Sequence, residues 1–281
     1  MKIRILSNNT SSRKDLVPEH GLALWIEGED AGRKSAVLFD TGGPHKTLLH
    51  NAQKLGINWE ILKGVALSHG HYDHTGGLLD LLKALKKKIP VHLHPDALLP
   101  KLNGPSPDDD IGFSAVNLSA NTLEKERGRL ILSKKPVALL DHLMTTGEIP
   151  RSTDFEEVTG FFTVRNGEYV SDTMTDDLSL IVDHRGKGMF IVCGCCHAGI
   201  INTLLHSMAL TGQKKVIGIM GGFHLVGANE DRISKTIAAL KEIDPGIILP
   251  MHCTGTQAME RMQEAFGEKV MFLHCGDEWE V

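Results

Sequence analysis

Leu67-Ser68-His69-Gly70-His71-Tyr72-Asp73-His74-Thr75-Gly76-Gly77-Leu78 sets four metal-competent side chains within six positions, and the rest of the chain reads outward from it. Imidazole nitrogen and carboxylate oxygen suit a borderline ion such as zinc, and they also suit iron or manganese. In an extended segment side chains two apart point the same way. His69 and His71 therefore chelate one ion in this reading, while Asp73 and His74 turn toward a second. The competing reading is a polar loop rich in histidine. With 15 His in 281 residues, His-x-His-x-Asp-His should arise by chance in only about three of a thousand such chains. One or two divalent metal ions, zinc first, are therefore expected.

The surrounding pattern is strand, ligand loop, helix. Strands are expected at 3–6, 21–27, 36–39 and 65–67, with a helix at 48–55. The third strand ends in Asp40-Thr41-Gly42-Gly43, a sharp turn that leaves a carboxylate at the strand's carboxyl end. The same grammar recurs three times later. A strand at 189–192 leads into Cys193-Gly194-Cys195-Cys196-His197 and a helix at 199–210. A strand at 216–220 leads into Gly221-Gly222-Phe223-His224 and a helix at 230–243. A strand at 247–249 leads into Pro250-Met251-His252-Cys253-Thr254-Gly255 and a helix at 256–266. A histidine follows each strand, and ligands gather at carboxyl strand ends in layered α/β folds.

The middle differs. Residues 90–174 hold Pro100, Pro105, Pro107 and the acidic Asp108, Asp109 and Asp110, then strand-like pieces at 130–132, 137–140 and 161–164. They are expected to form an insertion or cap that contributes to a substrate pocket, on a core made of 1–89 and 175–281.

Composition narrows the function classes. A chain 41% hydrophobic and 23% charged is globular material for one large domain or a domain with an insertion. A net charge of -5 argues against a broad nucleic-acid surface. The basic run at 83–88 reads as the solvated face of the helix after the histidine motif. No apolar run approaches the ~18 residues of a membrane span, and the start Met1-Lys2-Ile3-Arg4-Ile5-Leu6 has no signal-peptide core. A soluble cytoplasmic protein acting on a small molecule is expected, with neither nucleic acid nor membrane as partner. Five cysteines, three of them crowded at Cys193, Cys195 and Cys196, read as reduced thiols. Oligomeric state is not legible.

His69, His71, Asp73 and His74, preceded by Leu67-Ser68 and followed by Gly76-Gly77, resemble the signature of the metallo-β-lactamase fold superfamily. The resemblance implies an α/β fold of the αββα type with one or two metal ions at the sandwich edge. It implies that Asp40 orients a ligating imidazole from the second shell. It supports His197 as the residue that completes the His69–His71 ion, and His252 as the partner of Asp73 and His74. Cys195 sits where many superfamily members carry a bridging aspartate. Either the bridge is missing here or a thiolate replaces it, with Asp176 and Asp177 as alternative carboxylate donors. His224, after a double glycine, is expected to donate to substrate oxygen or act as an acid. Thr254, Gly255 and Thr256 open a helix whose free N–H groups suit a substrate phosphate, against the plainer reading of a Thr cap. His92, His94, His142, His206 and His274 are expected to be surface or packing histidines.

A closer branch is suggested by Glu19-His20-Gly21-Leu22, Leu38-Phe39-Asp40-Thr41-Gly42, Gly194-Cys195-Cys196-His197-Ala198-Gly199-Ile200, Gly221-Gly222-Phe223-His224-Leu225 and His252-Cys253-Thr254-Gly255. Together with the histidine motif they resemble the group named for 7,8-dihydropterin-6-methyl-4-(β-D-ribofuranosyl)aminobenzene-5'-phosphate synthase. That implies transfer of a pterin methyl group from its diphosphate to an aryl ribofuranosyl phosphate, with diphosphate released. The same ligands also serve a hydrolase of phosphodiesters, lactones or other esters. A third class is a non-catalytic metal-binding sensor, whose site would be closed by protein ligands.

Overall fold

Alternating apolar side chains build two sheets that face each other. The computed structural model describes residues 1–85, 87–112, 119–184 and 186–281. The chain begins β1 (Lys2–Ser7), β2 (Ala23–Asp30), β3 (Arg33–Phe39), α1 (Thr47–Lys54), β4 (Leu62–Ala66), α2 (Tyr72–Thr75), α3 (Leu78–Ala84) and β5 (Ile89–Leu93). Next come α4 (Ala120–Lys125), β6 (Gly128–Leu132), β7 (Ala138–Leu140), β8 (Leu143–Thr145), β9 (Phe162–Arg165) and β10 (Glu168–Ser171). It ends β11 (Ser179–Asp183), β12 (Met189–Cys193), α5 (Ile200–Thr211), β13 (Val216–Gly221), α6 (Glu230–Ile243), β14 (Ile248–Pro250), α7 (Thr256–Phe266) and β15 (Glu278–Glu280).

One sheet has the order β15-β1-β2-β3-β4-β5-β6, and the other β14-β13-β12-β11-β8-β7. The period of two decides what each strand faces. On β2, Leu24 and Ile26 point between the sheets with Leu180, Val182, Phe190 and Val192, whereas Ala23 and Trp25 point outward beneath α1 and α3. On the second sheet Ile181 and Ile191 point outward against Ile200, Leu204, Ile233 and Met262 of α5, α6 and α7. Burying each large aliphatic side chain contributes about 1.5–3 kcal/mol, so a strand that slipped by one residue would lose several such terms at once. The result is helix, sheet, sheet, helix, the expected αββα α/β architecture.

Parallel pairing puts the loops that carry the candidate ligands together. β3, β4, β5 and β6 are mutually parallel in the first sheet, as are β12, β13 and β14 in the second. α6 shows why the intervening segments are helical. The side chain of Asn229 accepts from the amide of Arg232 at its start, and Ile233, Thr236, Ile237 and Leu240 make one buried stripe.

The 90–174 stretch contributes strands to both sheets: β5 and β6 extend the first, and β7 and β8 extend the second. These pieces are short and gain their burial from neighbouring strands, so their own pattern hides their membership. The β9–β10 hairpin is the part paired outside both sheets. The basic run at 83–88 is not one helical face, because α3 ends at Ala84 and Leu85 turns extended. Lys87 donates instead to the carbonyl of Glu60 at 2.8 Å, and Lys86 lies outside the described residues. No helix among the described residues is long and apolar enough to cross a membrane.

Candidate metal centre

Five strand ends converge on one edge of the sandwich. Asp40 follows β3, His69 and His71 follow β4, Cys195 and His197 follow β12, His224 follows β13 and His252 follows β14. The chain turns abruptly after these strands. Asp40, Cys196, His224 and His252 have φ of 58°, 57°, 44° and 51°, left-handed values that cost non-glycine residues about 1–3 kcal/mol each and cluster at functional sites. A side chain at Gly194 would collide with Ser68 and with Asp40, so only glycine lets the end of β12 close over them.

His69, His71 and His197 form the first group. Their ring centroids lie 4.5 to 5.0 Å apart, and one ligand nitrogen from each falls within 4.8 Å of the others. Nε2 of His69, Nε2 of His71 and both ring nitrogens of His197 are buried without a hydrogen-bond partner among the described residues. Burial pushes all three pKa values down, that of His71 to about 3. Neutral imidazoles with unshared lone pairs are what a divalent cation binds, and unpaired buried polar atoms are otherwise costly. The donors present fit such an ion.

Asp73, His74, Cys195 and His252 form the second. Nε2 of His74 lies 3.1 Å from Sγ of Cys195, 3.2 Å from Nε2 of His252 and 3.6 Å from Oδ2 of Asp73. Those spacings match ligand atoms that sit about 2.0–2.3 Å from a shared tetrahedral ion. Burial opposes ionisation of Asp73, but His74, His20 and His252 hold it well below the usual carboxylate range. Burial also opposes protonation of His74, yet Asp73 and Asp40 raise it to about 9. Burial pushes the Cys195 thiol well above its ordinary value.

The other expected residues take varied positions. Asp40 accepts from Nδ1 of His74 at 2.7 Å and from the amide and hydroxyl of Ser68, each at 2.7 Å. His224 packs its ring, tilted, 4.1 Å from that of His197, and its Nδ1 is buried without a partner among the described residues. Asp176 and Asp177 join neither group. Asp176 accepts from the amide of Gly70 and from Lys101, while Asp177 accepts from the amide of Ala198, and burial raises it to about 6. The Thr254 hydroxyl is engaged within the fold, accepting from the amide of Phe223 and donating to the carbonyl of Met251. Gly255 and Thr256 line a cleft of about 500 Å³ beside His252. His94, His206 and His274 bond elsewhere, to Glu148, Thr146 and Thr10.

Three contributors were given no site role by the sequence, although His20 stands in the Glu19–Leu22 stretch that suggests the closer branch. Asn9 meets Nδ1 of His252 at 2.9 Å, fixing that ring as Asp40 fixes His74. His20 meets Oδ2 of Asp73 at 3.3 Å. Phe161, just ahead of β9, packs its ring within 5.1 Å of His71 and 5.0 Å of His197. Its lead residues were legible as strand, its position over the site was not.

A sandwich of this architecture with buried histidine and aspartate at the tips of its parallel strands defines a class. Residues 17–190 match the family model of the metallo-beta-lactamase superfamily, and the chain belongs to that superfamily. It is 36% identical over 262 residues to the 7,8-dihydropterin-6-methyl-4-(beta-D-ribofuranosyl)-aminobenzene-5'-phosphate synthase of Methanocaldococcus jannaschii, a match covering 92% of this chain and 88% of that protein. Among solved structures it is similar to Tm1679, described as a metal-dependent hydrolase of the beta-lactamase superfamily, at 30% identity and a TM-score of 0.82, covering 100% of this chain and 99% of the other. Zn(2+)-bound PqqB from Methylobacterium extorquens shares the fold at a TM-score of 0.55 and 11% identity, with both chains fully covered (100%).

Proposed function

We propose that the chain is a metal-dependent enzyme that joins a pterin methyl diphosphate to an aryl ribofuranosyl phosphate and releases diphosphate. The observation that carries the metal requirement is the set of buried imidazole nitrogens without partners among the described residues, beside a second convergent group of donors. Identity of 36% to the synthase over most of the chain supports the substrate class. In this reading His69, His71 and His197 hold one divalent ion, and Asp73, His74, His252 and Cys195 hold a second. Zinc is the expected metal, with iron or manganese compatible with the same donors.

Bound divalent cations supply Lewis-acid neutralisation of the charge that builds on the departing diphosphate. The protein's own groups supply geometry. Asp40 and Asn9 lock the rings of His74 and His252 through their second nitrogens. Asp73 stays ionised between three imidazoles. The bond from the pterin methyl carbon to diphosphate oxygen breaks as the aryl amine nitrogen bonds to that carbon, and one proton leaves the nitrogen. His224, with Nδ1 free of partners among the described residues, donates to the departing oxygen. Phe161 covers His71 and His197 and keeps bulk water from the reacting carbon.

The test is turnover by metal-loaded protein. A pterin methyl diphosphate with its aryl amine acceptor is expected to yield diphosphate and the coupled product, and His69→Ala or Asp73→Ala protein is expected to yield neither while staying folded. A second reading, ester or phosphodiester hydrolysis, is favoured by the hydrolase description of the 30% identical Tm1679. Turnover of phosphodiesters or lactones without the pterin pair would select it. Inertness toward every compound would leave metal sensing.

A further inference from the structure

Beside His197 and His224 opens a cleft of about 200 Å³, and on its wall stands a cation that neither ligand group uses. Its lining includes Glu157, Phe161, His197, His224, Val226 and Arg232. Arg232 lies in the first turn of α6, where its backbone amide is taken by Asn229. Its Nη1 donates to the carbonyl of Glu157 at 3.3 Å, a neutral acceptor. Its Nε is buried and has no partner among the described residues. No ion pair to Arg232 forms among the described residues. The Glu156 carboxylate feels its charge but is committed to the amides of Ile201 and Asn202, at 2.9 and 2.8 Å. A planar guanidinium with spare donors recognises oxyanions in a fork, and an unpaired buried N–H is costly until something accepts from it.

The neighbouring larger cleft has no such cation. Val226 borders both, but on the far side the described lining residues include no Lys or Arg, while Met251, Met259 and Phe272 are present. We infer that the smaller cleft is an oxyanion subsite in which Arg232 and His224 bind the phosphate-bearing end of the substrate, leaving the apolar cleft beside His252 for a ring. This deepens the proposed transferase reading and rests on it for the identity of the anion. The start of α7, expected from sequence to hold a phosphate, then faces the ring side.

Binding and turnover separate the two ideas. Inorganic diphosphate and inorganic phosphate are titrated calorimetrically into metal-loaded wild-type, Arg232→Gln and Arg232→Lys protein, with melting curves as the check on folding. Loss of one charge-assisted contact is expected to weaken diphosphate binding by about tenfold or more in Arg232→Gln, with partial recovery in Arg232→Lys. Weakening of diphosphate alone identifies the leaving-group end, and weakening of phosphate as well identifies a general phosphate subsite. Affinities within about twofold of wild type in both variants overturn the inference. If the pterin pair turns over and Arg232→Gln leaves the KM of both substrates unchanged, the subsite falls and the transferase stands. If diphosphate binding depends on Arg232 but the pterin pair is inert, the subsite stands and the transferase falls. Should Arg232→Gln fail to fold, the Arg232→Lys titration decides, since a point charge at that position cannot replace the fork.

Discussion

Oδ2 of Asp40 accepts the Nδ1 proton of His74 at 2.7 Å, so a carboxylate at the tip of β3 fixes which nitrogen of that ring faces Cys195 and His252. Asp40→Ala removes this anchor and leaves the amide of Ser68 without its acceptor. Affinity for the second metal ion is expected to fall about 10–100-fold, as is typical for outer-shell partners of ligating histidine. Competition with a chromogenic chelator measures it. Unchanged affinity would mean that His74 is not a ligand, or that its ring is held by packing alone.

Sγ of Cys195 approaches Nε2 of His74 at 3.1 Å, close enough to share an ion and also close enough for a simple contact. If the thiolate is a ligand, Cys195→Ala protein should carry about one metal fewer per chain, and cobalt-substituted wild type should show a thiolate-to-metal charge-transfer band that the variant lacks. If the thiol only packs, elemental analysis will find the same metal content, and the variant will differ only in its unfolding midpoint.

How much of this site could be read from sequence follows from distance along the chain. The His69–His74 motif is local, and each later histidine is flagged by the apolar strand before it, so the gathering of these side chains at one sheet edge was legible. Asn9 bonds a residue 243 positions away, and nothing about an asparagine in a polar loop announces that. The sandwich was legible where strands are long and alternate, as in β2, but β7 and β8, three residues each, have too little pattern to reveal which sheet they join. Lys101 was illegible for a different reason. A lysine among prolines reads as surface, and its burial is made possible by aspartates more than 70 residues downstream.

His92 on β5 yields a stability prediction with a defined sign. Burial and the nearby Arg129 of β6 lower its pKa, and its Nδ1 is buried without a partner among the described residues, so it folds as a neutral ring. The unfolded chain binds a proton near the ordinary imidazole value of about 6.5, so His92 leaves stability intact above that pH and lowers it as the pH falls below. His92→Gln protein should lose less stability than wild type between about pH 7.5 and about pH 5.5 in urea denaturation. Parallel losses in the two proteins would show that His92 stays accessible to protons when folded.

Lys101 is 1% exposed, and its ammonium bridges Asp172 at 2.8 Å and Asp176 at 2.5 Å. Burial opposes its charge, yet Asp176 and Asp172 together raise its pKa, so it is a cation at all physiological pH. The other oxygen of Asp176 accepts the amide of Gly70, the residue between His69 and His71, so this ion cluster ties Lys101 and the segment that follows the β9–β10 hairpin to the His69–His71 loop. Lys101→Met leaves two buried carboxylates facing each other without a counter-charge, a change that costs about 3–5 kcal/mol. Urea denaturation should show a loss of that order, and the same protein should bind metal more weakly at the His69–His71 group because Asp176 will shift from Gly70. Adding Asp172→Asn should restore part of the stability by removing one unpaired charge. A loss under about 1 kcal/mol in the single variant would mean that water reaches the cluster and that the aspartates do not depend on Lys101.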